Sequence, residues 1–216
     1  MIDHSDDGPD PTFGGTWNVI ASASTNVGPA VLDSPIAVVD STGAATGITI
    51  TYSGAFGSFT GPYTEWAFGD VDWIDGAVTT DLFGTNGSGS TTLTFDGLTP
   101  GALYELDHLS ARSSDSSNRV GDYTVFGSFA DTTPNGDNFN SYQDGYVGGN
   151  VLSWTVAANG AGQIVLTVGP STPGTFGYYN ATRLVELSAS VPEPSAFALM
   201  ALPLAGLVLR RRLRGR

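Results

Sequence analysis

The sequence predicts an all-β fold: an antiparallel β-sandwich followed by a single transmembrane helix at the C-terminus. Three observations carry that expectation. Short runs that alternate apolar and polar residues recur as far as Leu187, and none before Ser195 repeats its apolar residues at the helical period. Punctuating these runs are 29 glycines and 12 prolines, in a chain only 13% charged. That composition suits many short strands joined by turns. The third observation is an uncharged apolar run close to the C-terminus. A length of 216 residues allows one sandwich-sized domain with a buried core, plus appendages. The expected division is a polar lead-in over residues 1–15, a sandwich over 16–190 and a separate tail over 191–216.

Taken in order, residues 1–15 are acidic and rich in glycine and proline, which suits a lead-in to the first strand. β-rich runs then fall at 16–23, 47–53, 91–95, 103–109, 123–129, 151–157, 163–168 and 183–187. In "GITITYS" the alternation puts Ile48, Ile50 and Tyr52 on one face, and in "GQIVLTVG" it does the same for Ile164, Leu166 and Val168. Thr99-Pro100-Gly101 has proline and glycine at the two central positions of a turn joining two strands. Tyr104, just past it, is expected to face inward. The pattern favours jelly-roll connectivity over the immunoglobulin kind.

The stretch "GLTPGALY" resembles the G-L-x-P-G-x-x-Y strand connection of fibronectin type III domains and of galactose-binding-like jelly rolls of bacterial surface proteins. "GTWNVIAS", "GDYTVFG", "GQIVLTVG" and "YYNATRLVEL" resemble the second group in order and spacing. A fibronectin domain would be complete in far fewer residues. The resemblance implies a galactose-binding-like jelly roll for the body.

Charge narrows the partners. Before Val191, only Arg112, Arg119 and Arg183 oppose 20 of the 21 carboxylates. So negative a body repels phosphate backbones, which argues against nucleic acid as a partner. Cysteine is absent, which excludes disulfides, thiolate catalysis and cysteine-based metal sites.

The tail reads "VPEPSAFALMALPLAGLVLRRRLRGR". From Ala196 to Leu209 it carries 14 consecutive uncharged residues. As a helix these reach roughly 21 Å against a hydrocarbon layer of roughly 30 Å. Arg210, Arg211 and Arg212 follow at once, which suits an anionic cytoplasmic leaflet and lets long side chains extend the span. Pro203 would weaken a soluble helix but is tolerated in a membrane. Pro192, Glu193 and Pro194, then the apolar helix, then the arginines, resemble the PEP-CTERM sorting signal. That resemblance implies an exported bacterial protein held in the inner membrane with its basic end cytoplasmic. It also implies a membrane protease-transpeptidase, exosortase, that recognises Pro-Glu-Pro and removes the tail. The stretch "MIDHSDDGPDPTFGG" has neither a basic n-region nor an apolar h-region, so an export signal is expected upstream of Met1.

Candidate sites lie in the loops. "FGDVDWIDG" brings together Asp70, Asp72 and Asp75, hard oxygen ligands spaced closely enough for calcium, although the twelve-residue EF-hand pattern is absent. A solvated acidic loop is the favoured reading of the three. Tyr63, Trp66 and Trp73 beside Asp70 form one candidate sugar site, with rings to stack on a pyranose and polar groups for its hydroxyls. "PNGDNFNSYQDGYVGGN" supplies a second, with Asn138, Asn140, Tyr142, Asp144 and Tyr146. Core burial is the competing reading of these aromatics, since sandwiches usually bury tryptophan. Arg112 and Arg119 fit surface ion pairing better than a clamp on an acidic sugar.

Catalysis finds little material. His108 is the one histidine on a strand, no G-x-S-x-G elbow occurs, and the body's glutamates are Glu65, Glu105 and Glu186. His108 is expected to face solvent or to serve as a hydrogen-bonded strand residue. The reading reached is a non-catalytic exported surface or matrix protein that binds extracellular polysaccharide. A carboxylate-dependent glycoside hydrolase or lyase and a purely structural envelope component are the alternatives.

Overall fold

The computed structural model describes residues 1–3, 18–19, 35–54, 56–60, 81–85, 89–110, 120–130, 139–140, 151–171 and 176–187. Its strands begin with β1 (Ile2–Asp3), β2 (Asn18–Val19), β3 (Ile36–Val39), β4 (Ala45–Ser53), β5 (Phe56–Thr60), β6 (Asp81–Thr85), β7 (Thr91–Asp96) and β8 (Leu103–Leu109). They continue with β9 (Val120–Phe126), β10 (Phe129–Ala130), β11 (Phe139–Asn140), β12 (Val151–Ala157), β13 (Ile164–Pro170), β14 (Tyr178–Tyr179) and β15 (Ala181–Glu186). Among the described residues there is no helix, and so none able to cross a membrane. The tail, including Pro192, Ala196, Leu209 and the arginines, lies outside them.

Two sheets share one core. The first orders β10-β12-β8-β15-β1-β2 and the second β11-β9-β13-β7-β4-β3, with a smaller β14-β6-β5 sheet beside them. The pairings are antiparallel except the short one between β1 and β2. Ile50, Tyr52, Leu93, Phe95, Tyr123 and Leu166 of the second sheet meet Tyr104, Leu106, Leu152, Trp154 and Val156 of the first in one buried cluster. Each such side chain contributes about 1.5–3 kcal/mol through the apolar area it withdraws from water. The result is an all-β, sandwich-like body.

Alternation does what the sequence predicts. Ile50 and Tyr52 are fully buried, Ile48 is packed against the same core, and Ile164, Leu166 and Val168 are fully buried. The predicted runs 103–109 and 151–157 coincide with β8 and β12. The run 123–129, by contrast, divides. Its first part is the end of β9, and after Phe126 the chain crosses to the other sheet as β10. Ser128 holds that corner, its N–H donating to Ala157 O and its hydroxyl to Ala158 O, both at 2.8 Å. Strands β3, β5, β6, β11 and β14 were not expected, and β1 lies within the stretch read as a lead-in.

The turn between β7 and β8 forms as read. Ala102 N–H donates to Thr99 O at 3.1 Å, and Gly101 takes a φ of 76°, the left-handed value a type II turn needs at its second central position. Tyr104 is buried as expected, and its hydroxyl reaches back to accept the Thr99 N–H at 3.0 Å. This bond ties the turn to the core, as a tyrosine corner does.

Candidate functional site

Apart from Asn140, the loop residues that the sequence offers as sites fall outside the described part of the chain. This holds for Tyr63, Trp66, Asp70, Asp72, Trp73 and Asp75, for Asn138, Tyr142 and Tyr146, and for Arg112 and Arg119. For the second aromatic set the backbone supplies one landmark. β11, which Asn138 immediately precedes, pairs with β9 through Phe139↔Gly121 and Asn140↔Val120, at the edge of the second sheet. Among the described residues no three His, Asp or Glu side chains group as metal ligands do.

What the structure does assemble is a buried polar cluster around His108. The register sets His108 between Leu152 of β12 and Thr182 of β15, on the core face of β8. Its Nε2 lies 3.0 Å from the Tyr178 carbonyl, which can only accept, so the proton sits on Nε2. Nδ1 then accepts from the Thr182 hydroxyl at 2.9 Å. Tyr179 stands edge-on to the imidazole with centroids 5.4 Å apart, and Tyr123 lies 5.7 Å away. Burial lowers the His108 pKa to about 4, so the ring is neutral at neutral pH. The Tyr179 phenol, also buried, is pushed well above its ordinary value, while it donates to Thr91 O at 3.1 Å.

This cluster is structural chemistry. The Tyr123 hydroxyl bonds the Ser110 hydroxyl and accepts the Tyr178 N–H at 2.9 Å. Both nitrogens of His108 are engaged within a ring of fully buried partners, and Asp107, its neighbour, points to the opposite face. Of the two alternatives read for His108, the hydrogen-bonded strand residue is the one observed. On that opposite face Arg183 spans two carboxylates of β8. Its Nε and Nη2 reach Asp107 Oδ2 at 2.8 and 2.6 Å, and Nη2 reaches Glu105 Oε1 at 2.8 Å. Glu105, the one candidate acid in β8, is therefore committed to an ion pair.

Among the described residues a cleft of about 520 Å³ lies at the side of this frame. It lies where β15 and β1 of the first sheet face β4 and β3 of the second, walled by Ile2, Val38, Ile48, Phe95 and Leu184. Asn18 ties the two sheet edges together beside it. Its side-chain amide accepts the Val39 N–H at 2.8 Å and donates to Val39 O at 3.0 Å and Met1 O at 2.9 Å. Asp40, on the rim, accepts from Thr42 N–H, the Thr42 hydroxyl and Ala44 N–H, bonds that lower its pKa. Nothing in the sequence pattern pointed to this cleft, because it is made by edges that meet only in the folded chain.

Fold and site together define a class: an all-β, sandwich-like body whose described histidine is buried with both ring nitrogens hydrogen-bonded. Comparison with known proteins identifies the C-terminal segment. Residues 190–212 match the PEP-CTERM protein-sorting motif, and so the chain carries that signal. The motif points to a bacterial, exported, envelope-associated protein and implies processing by exosortase, a membrane protein. Among the curated proteins nothing matches. Among solved structures, the chain is distantly similar to the enzymatically active domain of tailspike protein 4 of bacteriophage CBA120. The TM-score is 0.31 at 9% identity over 66% of this chain, which spans only 20% of that structure.

Proposed function

We propose that this is a non-catalytic surface or matrix protein of a bacterial envelope, with extracellular polysaccharide as its ligand and the sandwich as the delivered cargo. The sorting motif at residues 190–212 is the observation that carries the reading. In it, residues 196–209 form the membrane helix, Arg210, Arg211 and Arg212 stay cytoplasmic, and exosortase acts at Pro192-Glu193-Pro194. Two prolines keep that segment extended, as a protease substrate must be. The body is a jelly roll. Support for this comes from the chain's passage between sheets on going from β7 to β8, β8 to β9, β9 to β10 and β12 to β13.

Two measurements test the proposal. In the native host, Glu193→Ala is expected to retain the longer, membrane-associated form while the parent chain is shortened and released. Equal processing of both rejects exosortase sorting at this motif. On a glycan array the purified chain is expected to bind polysaccharide without releasing sugar, and Trp73→Ala or Trp66→Ala to abolish binding. Binding that survives both substitutions removes the first aromatic set, and reducing-end release would favour a hydrolase instead.

A further inference from the structure

The turns at one end of the sandwich are joined into a single cap. Leu98 N–H donates to Gly162 O at 2.9 Å and Gly101 N–H to Ala158 O at 3.0 Å, so the β7–β8 and β12–β13 turns brace each other. The β9–β10 corner joins them where Ser128 N–H meets Ala157 O. Its three segments, 97–102, 127–128 and 158–163, carry no charged side chain, although the body holds 20 carboxylates. Large apolar side chains flank this cap and reach solvent. Among the described residues the exposed ones are Leu103 at 47%, Phe126 at 55% and Val185 at 39%. Leu103 follows the first segment, and Phe126 precedes the second. Val185 shares the outer face of its sheet with Leu187, whose N–H donates to Leu103 O at 2.8 Å.

The chain sets out for its tail from this same end. Leu187 closes the described sandwich beside Leu103, and the uncharged run begins at Ala196. The nine steps between them span at most about 30 Å of extended chain. The opposite end of the sandwich lies a strand length away, about 23 Å for the seven residues of β8. A tail held in a membrane therefore brings the cap to the surface first.

We propose that this cap rests on the lipid bilayer while the tail is inserted, with Leu103, Phe126 and Val185 in the headgroup region. The proposal rests on the membrane reading of residues 196–209. Charge selects the occupant, because an uncharged end is the part of an anionic body that loses least on leaving water. Asp96 and Glu186, exposed at its edge, remain on the water side and disfavour anionic lipid. Three apolar side chains divided between two sheet faces are too few for the core of a stable protein interface. They suffice on a bilayer, because the tether supplies a high effective concentration.

The test uses the full chain in phosphatidylcholine vesicles. The chain has no cysteine, so a single introduced one can carry a fluorophore at a chosen place. Leu103→Cys and Phe126→Cys report on the cap, Ser90→Cys on the opposite end and Ala201→Cys on the tail. The three body positions are exposed, so these substitutions leave the core intact. Quenching by lipid-borne nitroxides is expected to be at least about threefold stronger at positions 103 and 126 than at 90. Adding Leu103→Glu to the Phe126→Cys chain is expected to lower its quenching at least about twofold. Equal quenching at all three body positions, with the tail label strongly quenched, overturns this proposal and leaves the membrane reading standing. An unquenched tail label overturns both. Cap quenching that appears only with exosortase in the vesicles overturns the proposal too, since the surface would then belong to that protein.

Discussion

His108 shows how a single residue can couple the fold to pH. Its folded pKa of about 4 lies below the ordinary 6.5, so on acidification the unfolded chain takes up the extra proton first. Its contribution to stability is therefore full above about pH 6.5 and is lost as pH falls toward about 4. Urea unfolding across that window is expected to show a stability that declines with acid, and His108→Gln to have a shallower slope. Identical slopes would mean that other groups carry the whole dependence. Two glycines separate backbone strain from crowding, since Gly101 and Gly162 share a φ of 76°. A Cβ at Gly101 meets nothing within 4 Å, but at Gly162 it would lie 2.4 Å from Leu98 O. Gly101→Ala is expected to cost about 1 kcal/mol from conformation alone. Gly162→Ala should exceed it by at least about 1 kcal/mol, measured as the difference between the two unfolding free energies.

At the scale of the element, β15 is held by charge as much as by its ladder. Arg183 spans Asp107, whose side chain is 5% exposed, and Glu105, at 39%. Removing the cation strands a buried carboxylate, so Arg183→Ala is expected to cost about 3 kcal/mol. Glu105→Gln, at the exposed end, should cost less than about 1 kcal/mol. Denaturant titration of both variants checks this, and comparable losses would show that Asp107 finds another partner. The elements also show what a sequence can reveal. β8 and β12 were legible to the residue because each carries its own apolar alternation, as in Tyr104, Leu106 and His108 inward. β6, written "DLFGT", and β14, written "YY", carry no such period and become strands only through each other and through β5. The run 123–129 misled because alternation is blind to the corner at Ser128, where the chain changes sheets.

The whole molecule is strongly anionic, with 20 carboxylates against three arginines before the tail. Self-repulsion of that magnitude destabilises a compact body and is screened over about 8 Å at 0.15 M salt. Raising sodium chloride from low to physiological concentration should therefore increase the Tm of the body, and a level or falling Tm would contradict it.

By itself the sequence determined the class of fold and the address. Apolar alternation and the Pro-Glu-Pro, apolar, arginine order are both local, readable from neighbours along the chain. Only the tertiary structure decided that His108 is a buried, neutral core residue, that Arg183 joins two carboxylates and that a cleft lies between the edges carrying Ile2 and Val38. Each of these depends on contacts between residues some 70 to 180 positions apart, as in His108 with Thr182, Arg183 with Asp107 and Ile2 with Thr182. Such distances are closed by strand pairing, and no local pattern encodes which edges will meet.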